Sequence, residues 1–237
     1  MANISTKAQQ MPASAIRKLV PFADAAKKEG VKVYHLNLGQ PDIKSPECAL
    51  DAIRNYSAVN ISYSHSGGLM ELRKGLVEKY YRKIGIDINV DELIVTVAGS
   101  ESVNLALEIA CDPGDEVLVL EPFYTNYNTF AFMNKLTLKA IATDIRNGFQ
   151  IPPIEEFEKA ITPKTKAILI CNPGNPTGTQ YSKDSMLALG EIARKHDLFL
   201  LSDEVYREFC YTDEPHFSAM NIPGLEQNVI LIDSVSK

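Results

Sequence analysis

Residues 167–206 read AILICNPGNPTGTQYSKDSMLALGEIARKHDLFLLSDEVY. The stretch opens on Ala167-Ile168-Leu169-Ile170-Cys171, which has no polar alternation, and a second such run, Leu198-Phe199-Leu200-Leu201, leads into Ser202. Between them, Lys183 to His196 carries apolar residues at helical spacing. A strand that is apolar on both faces is covered on both faces. Two of them joined through a helix therefore predict a parallel pair in one sheet.

The same rhythm continues outward. Val229-Ile230-Leu231-Ile232 predicts a last strand, and Glu92–Val97, Glu116–Leu120 and Leu136–Ala142 predict earlier ones. Helices are predicted over Gly68–Ile84, Glu101–Ala110, Ile154–Ile161 and, as a helix or turn, Tyr124–Met133; Asp112-Pro113-Gly114-Asp115 reads as a turn. The fold class is α/β, three layers αβα around a mostly parallel sheet. Crossovers should be right-handed and ligands should sit beyond the carboxyl ends of the strands. The beginning of the chain departs from this rhythm. Residues 1–13 form a polar arm, and a helical pattern from Ser14 to Glu29 is interrupted by Pro21 and stopped by Gly30. Val31 to Leu38 reads as extended, Gly39-Gln40-Pro41-Asp42 as a turn, and Ser45-Pro46-Glu47 opens a helix to about Asn55.

Composition narrows the function. With 237 residues, 45% hydrophobic and 23% charged, the chain is long and apolar enough to bury a sizeable core, which excludes a disordered or fibrous protein. Lys and Arg number 24 against 30 Asp and Glu, a net charge of −6, which argues against a nucleic-acid partner. No apolar run is long enough to span a bilayer, and Met1-Ala2-Asn3-Ile4 starts no signal segment, so no membrane partner is expected. Cys48, Cys111, Cys171 and Cys210 form no CxxC pair, which fits free thiols in the cytoplasm. His35, His65, His196 and His216 lack metal-ligand spacing, so no metal is expected. His65 is a candidate to line a site, and His196 a helix C-terminal residue.

The residues just after each strand hold the candidate chemistry. Ala98-Gly99-Ser100-Glu101 follows the Glu92–Val97 segment and opens a helix, whose free N–H groups suit a phosphate; a plain tight turn would look the same. No Walker or GxGxxG motif is present. Asn172-Pro173-Gly174-Asn175-Pro176-Thr177-Gly178 specifies a rigid double turn that presents the Asn175 amide. Asp203 is costly at the end of a buried strand unless it meets a cation or caps the next turn; Glu204 and Tyr206 follow it. Lys237 closes Asp233-Ser234-Val235-Ser236-Lys237, as an amine nucleophile at a strand mouth or a lysine reaching solvent. Of Tyr124, Tyr127 and Phe130, the first is read as ligand-facing and the others as packing. Cys171 and Cys210 are read as small core residues. An anion cradle, an amide, a carboxylate, a phenol and an amine at one sheet edge suit pyridoxal phosphate.

In this order the segments resemble the class I/II aminotransferases of pyridoxal-phosphate fold type I. The resemblance rests on Leu36–Asp42, Tyr63 with Gly67-Gly68 and Glu71-Leu72-Arg73, Val95–Ser100, Asp112–Val117, Pro122-Phe123-Tyr124, Asn172–Gly178, Ser202–Tyr206 and Ser234–Lys237. It implies that Lys237 bonds the cofactor aldehyde and shuttles the substrate proton. Asp203 would pair with the pyridine nitrogen, and Asn175 and Tyr206 would donate to the 3-hydroxyl oxygen. Tyr124 would stack on the ring. Gly99, Ser100 and Glu101, with Ser234, would bind the phosphate. Gly39, with Asn175, would meet the substrate. Tyr63 would reach the phosphate of the neighbouring subunit, making a homodimer.

The function implied is transfer of an amino group between an L-amino acid and a 2-oxo acid by a ping-pong mechanism. A pyridoxal-phosphate lyase or decarboxylase on the same scaffold is the alternative. A cofactor-sensing regulator is disfavoured by the acidic charge and by the lack of a helix-turn-helix segment before Met11. The resemblance divides the chain into residues 1–45, an arm and small-domain segment, and 46–237, a large cofactor-binding domain incomplete at its C-terminal end. Relatives are expected to continue past Lys237 with a phosphate-binding arginine, a further strand and the arginine that clamps the substrate carboxylate. A chain ending at Lys237 would lack that clamp and is expected to be inactive. Ala98 stands where many relatives have Gly, which should be harmless unless its φ is positive.

Overall fold

Five strands form one sheet in the order β2-β1-β3-β4-β5, with every neighbouring pair parallel. They are β1 (Glu116–Glu121), β2 (Thr137–Ala142), β3 (Thr165–Cys171), β4 (Phe199–Asp203) and β5 (Val229–Ile232). This computed structural model describes residues 2–12, 14, 17–37, 39 and 41–237. The helices are α1 (Thr6–Gln10), α2 (Val20–Lys28), α3 (Glu47–Arg54), α4 (Met70–Lys79), α5 (Ala98–Ala110), α6 (Asn126–Met133), α7 (Ile154–Ala160) and α8 (Lys183–Lys195).

The period-2 geometry of strands explains the layers. Val117, Val119, Ala167, Leu169 and Leu201 point to one face, where they pack with Val103, Leu107 and Ala110 of α5 and Tyr127 and Ala131 of α6. Leu118, Leu120, Ile168, Ile170 and Leu200 point to the other, against Phe157 of α7 and Met186, Leu189, Ile192 and Ala193 of α8. Both faces are therefore covered, and the three-layer α/β architecture holds. At the start of α8, Ser182 accepts from the Ser185 N–H at 3.2 Å, satisfying one of the free donors there.

The chain separates into two compact units, residues 13–66 and residues 1–12 with 67–237. The first contains α2 and α3. Pro21 sits in the first turn of α2, so it starts this helix after a 3-10 turn at Arg17–Leu19 and does not break it. Residues 31–35 form no strand, and residue 38 lies outside the described residues.

In the second unit, the Gly68–Ile84 helix is shorter than expected: α4 ends at Lys79 and a 3-10 turn runs over Tyr81–Ile84. Glu92–Val97 does not join the sheet. Ile94 and Val97 are exposed; the Val95 N–H donates to the Gly67 carbonyl at 3.0 Å, and the other backbone bonds of the segment are local turns, from Glu92 to Asn89, Leu93 to Val90 and Ala98 to Thr96. A strand needs a ladder partner beside it, and none lies there among the described residues. The turn into α5 places Ala98 at φ +63°, so the alanine occupies left-handed backbone that favours glycine, and its substitution for Gly is not neutral.

Candidate active site

The carboxyl ends of β3, β4 and β5 and the start of α5 meet in the second unit. The Asn172 N–H donates to the Asp203 carbonyl at 2.9 Å, and the Glu204 N–H to the Ile232 carbonyl at 2.8 Å, which carries the sheet ladder one residue past the strands. A Cβ on Gly99 would lie 3.5 Å from Val205 Cγ1 and 3.9 Å from Ser234 Cβ, so the first turn of α5 reaches the loops after β4 and β5.

The double turn after β3 is pinned at both ends. Asn172 is fully buried, and its Oδ1 accepts from the Tyr181 N–H at 3.0 Å. Within the loop the Gly174 N–H reaches the Thr179 carbonyl at 2.8 Å and the Gly178 N–H the Gly174 carbonyl at 2.7 Å. Asn175 is thereby held where its Nδ2 donates to the Tyr206 hydroxyl at 3.3 Å. Lys237 Nζ stands 5.4 Å from the centre of the Tyr206 ring. Tyr124 is half-buried; burial raises its phenol above the ordinary range, while the nearby Lys237 charge opposes that.

Asp203 forms the floor. Its side chain is buried, and no cation among the described residues pairs with it. Burial pushes its carboxyl above the ordinary carboxylate range, and a hydrogen bond from Tyr127 pulls it back. That bond, Tyr127 hydroxyl to Asp203 Oδ2 at 2.6 Å, corrects the reading of Tyr127 as packing alone. A fully buried tyrosine seldom leaves its hydroxyl unpaired, but the sequence does not say which acceptor it finds. Cys171, beside the same cluster, is pushed up to about 12 by burial, which makes it inert as a nucleophile.

At the start of α5 the N-cap residue Val97 makes no side-chain capping bond, and the free first-turn N–H groups of a helix suit an anion. The Glu101 carboxylate turns back to the Val97 N–H. Ser234 is half-buried, with its hydroxyl 2.8 Å from that of Ser236. One edge of the second unit thus holds Gly99, Ser100, Glu101, Tyr124, Asn175, Asp203, Tyr206, Ser234 and Lys237. Gly39 and Tyr63 belong to the other unit, and both are exposed. His196 ends α8 and its Nε2 lies 2.8 Å from Glu158 Oε2. Among the described residues no cluster of His, Cys, Asp or Glu is arranged to hold a metal, and no helix is long and apolar enough to cross a membrane.

The profile of "Aminotransferase class I and II" matches residues 31–237. The chain belongs to this aminotransferase family. An aspartate/prephenate aminotransferase of Thermus thermophilus is 36% identical over 219 residues, 92% of this chain and 56% of its own length. An aspartate aminotransferase of Thermotoga maritima is 32% identical over 235 residues, 99% of this chain and 62% of its own. A solved structure of an aspartate aminotransferase from Thermotoga maritima superposes with a TM-score of 0.90 at 31% identity, covering 99% of this chain and 62% of that one. An alanine aminotransferase from Pyrococcus furiosus gives 0.87 at 34%, covering 99% and 60%. The chain spans little more than half the length of these family members. The aminotransferase family uses pyridoxal phosphate.

Proposed function

We propose that this chain is the cofactor-holding part of a pyridoxal-phosphate-dependent aminotransferase, which moves an amino group between an L-amino acid and a 2-oxo acid by a ping-pong mechanism. One observation carries the reading. Asp203 is a buried carboxylate with no cationic partner among the described residues, at the same sheet edge as Lys237, Tyr206 and Asn175. An uncompensated buried charge is costly, and a protonated ring nitrogen would compensate it.

The residues fit the cofactor in kind. The Gly99, Ser100 and Glu101 N–H groups and the Ser234 hydroxyl would hold its phosphate, Asn175 and Tyr206 its phenolic oxygen, and Tyr124 would cover its ring. When bound, pyridoxal phosphate supplies an electron sink for negative charge at the substrate Cα. Asp203 would keep that sink cationic, which is electrostatic stabilisation of developing charge. Lys237 Nζ would hold the cofactor and would take and return the substrate Cα proton. Gly39 and Asn175 would lie against the substrate.

The relatives' names make aspartate the first donor to test, with an aromatic amino acid second. The protein is read as a cytoplasmic homodimer in which Tyr63 serves the neighbouring subunit. Residues 1–45 are read as the arm and small-domain segment, and 46–237 as the large domain.

The full-length gene product with pyridoxal phosphate should be labelled at Lys237 by borohydride reduction, as located by peptide mapping. It should consume aspartate only when a 2-oxo acid is supplied. A label on another lysine overturns the site, and turnover without an acceptor makes the enzyme a lyase.

A further inference from the structure

One guanidinium stands between the carboxylates that directly follow β4 and β5. Arg207 Nη2 donates to Glu204 Oε2 at 3.0 Å, and its Nε lies 3.7 Å from Asp233 Oδ2. The Arg207 side chain is 3% exposed and that of Glu204 is 0% exposed, so water screens this pair little. Glu204 is held from all sides. Its Oε1 accepts from the Ser202 and Ser218 hydroxyls and the Ala219 N–H, and its Oε2 lies 2.8 Å from His216 Nε2. Asp233 Oδ2 accepts from the Tyr81 hydroxyl at 3.2 Å, and its Oδ1 from the Ser234 N–H at 2.7 Å.

The placement matters because of what each carboxylate adjoins. Glu204 lies between Asp203 and Tyr206, and Asp233 leads directly into the segment that ends at Lys237. The last backbone bond between these two stretches is Glu204 N–H to Ile232 O, and past it no backbone bond joins them among the described residues. Arg207 is the next tie.

We propose that Arg207 is a positioning residue: by bridging Glu204 and Asp233 it holds the Asp203–Tyr206 turn in register with the Ser234–Lys237 segment, and its charge keeps Asp203 ionised for the cofactor. The inference rests on the proposed function.

The charge argument has a definite sign. Beyond burial, the Asp233 and Glu204 charges each push Asp203 further up, so a cation that neutralises them works in the opposite sense. The groups facing Arg207 are Glu204 on its own turn, Tyr80 and Tyr81 from the turn after α4, His216 through Glu204, and Asp233, with Glu208 reached through the Tyr80 hydroxyl. Those facing Asp203 are Tyr127, Tyr124 and Cys171, with the charges of Asp233 and Glu204.

The test measures the dissociation constant of pyridoxal phosphate against pH in the full-length protein, with melting curves to check the fold. In Arg207→Gln the acid limb of binding should move up by about one pH unit, a tenfold loss of affinity on that limb. Arg207→Lys should restore part of it, and Arg207→Gln with Asp233→Asn should bring the limb back towards wild type. A folded Arg207→Gln protein with an unmoved limb overturns the proposal, as does a double variant no closer to wild type. Should Arg207→Gln not fold, Asp233→Asn alone reads the same coupling. Its limb should move down, and an unmoved limb is the overturning result. A wild-type protein that binds no pyridoxal phosphate instead refutes the proposed function.

Discussion

Asp203 destabilises the unliganded fold. Its carboxyl titrates above the ordinary carboxylate range when folded, so ionisation favours the unfolded chain: this term costs nothing at low pH and grows as pH rises from the unfolded value through the folded one. Asp203→Asn should therefore raise the melting temperature of the cofactor-free protein at neutral pH, while activity is lost. Melting curves at pH 4 and pH 7 check it: the gain should vanish at the lower pH. Tyr127→Phe should act the other way on the same group. Without the 2.6 Å bond, Asp203 should titrate higher, so at neutral pH both cofactor affinity and the melting temperature of the cofactor-free protein should fall. Equilibrium binding of pyridoxal phosphate measures this directly. At Ala98 the φ of +63° predicts that Ala98→Gly stabilises. The left-handed strain of ~1–2 kcal/mol outweighs the extra freedom of an unfolded glycine, so the melting temperature should rise by about 2–4 °C.

At the scale of elements, Gly190 shows packing overriding helix propensity. A Cβ there would come within 2.5 Å of Ile222 Cγ2, on the face of α8 that meets the 219–222 turn. Ala is the better helix former by about 1 kcal/mol, yet Gly190→Ala should destabilise, because overpacking costs ~1–3 kcal/mol. Urea unfolding that found the variant more stable would show that Ile222 yields freely. The strands β1, β3, β4 and β5 were legible because an unbroken apolar run has one good destination, the middle of a covered sheet. Glu92–Val97 carries a comparable pattern and is not a strand here, because a pattern records which face is apolar and not whether a neighbour lies within hydrogen-bonding distance.

At the scale of the whole molecule, the proposed dimer has a consequence that one chain cannot imitate. If Tyr63 serves the neighbouring subunit, Tyr63→Phe and Lys237→Ala proteins, mixed and allowed to exchange, should recover activity. The mixed pair rebuilds one intact site, with Lys237 from the first chain and Tyr63 from the second. Recovery should approach half the wild-type rate in mixed dimers, and the absence of recovery in confirmed heterodimers would place Tyr63 in its own subunit's site.

Asn175, Asp203, Tyr206 and Lys237 were readable from the chain because each ends or follows a strand of the sheet, and the ends of parallel strands converge; Gly99, Ser100 and Glu101 follow a segment that joins no sheet. Asn175, Asp203, Tyr206 and Lys237 come from three separate loops, yet the apolar runs before them already assign those loops to one edge. Local order in the sequence therefore determined the α/β class and the three layers, and it named candidates at the strand ends. It did not determine the partners. That the Tyr127 hydroxyl meets Asp203 across 76 residues, that Arg207 spans Glu204 and Asp233, and that Ala98 turns left-handed are decided only in three dimensions. The physical reason is that a hydrogen bond or an ion pair depends on separations of a few ångströms between groups far apart in the chain, whereas burial depends on a residue's own side chain and its near neighbours.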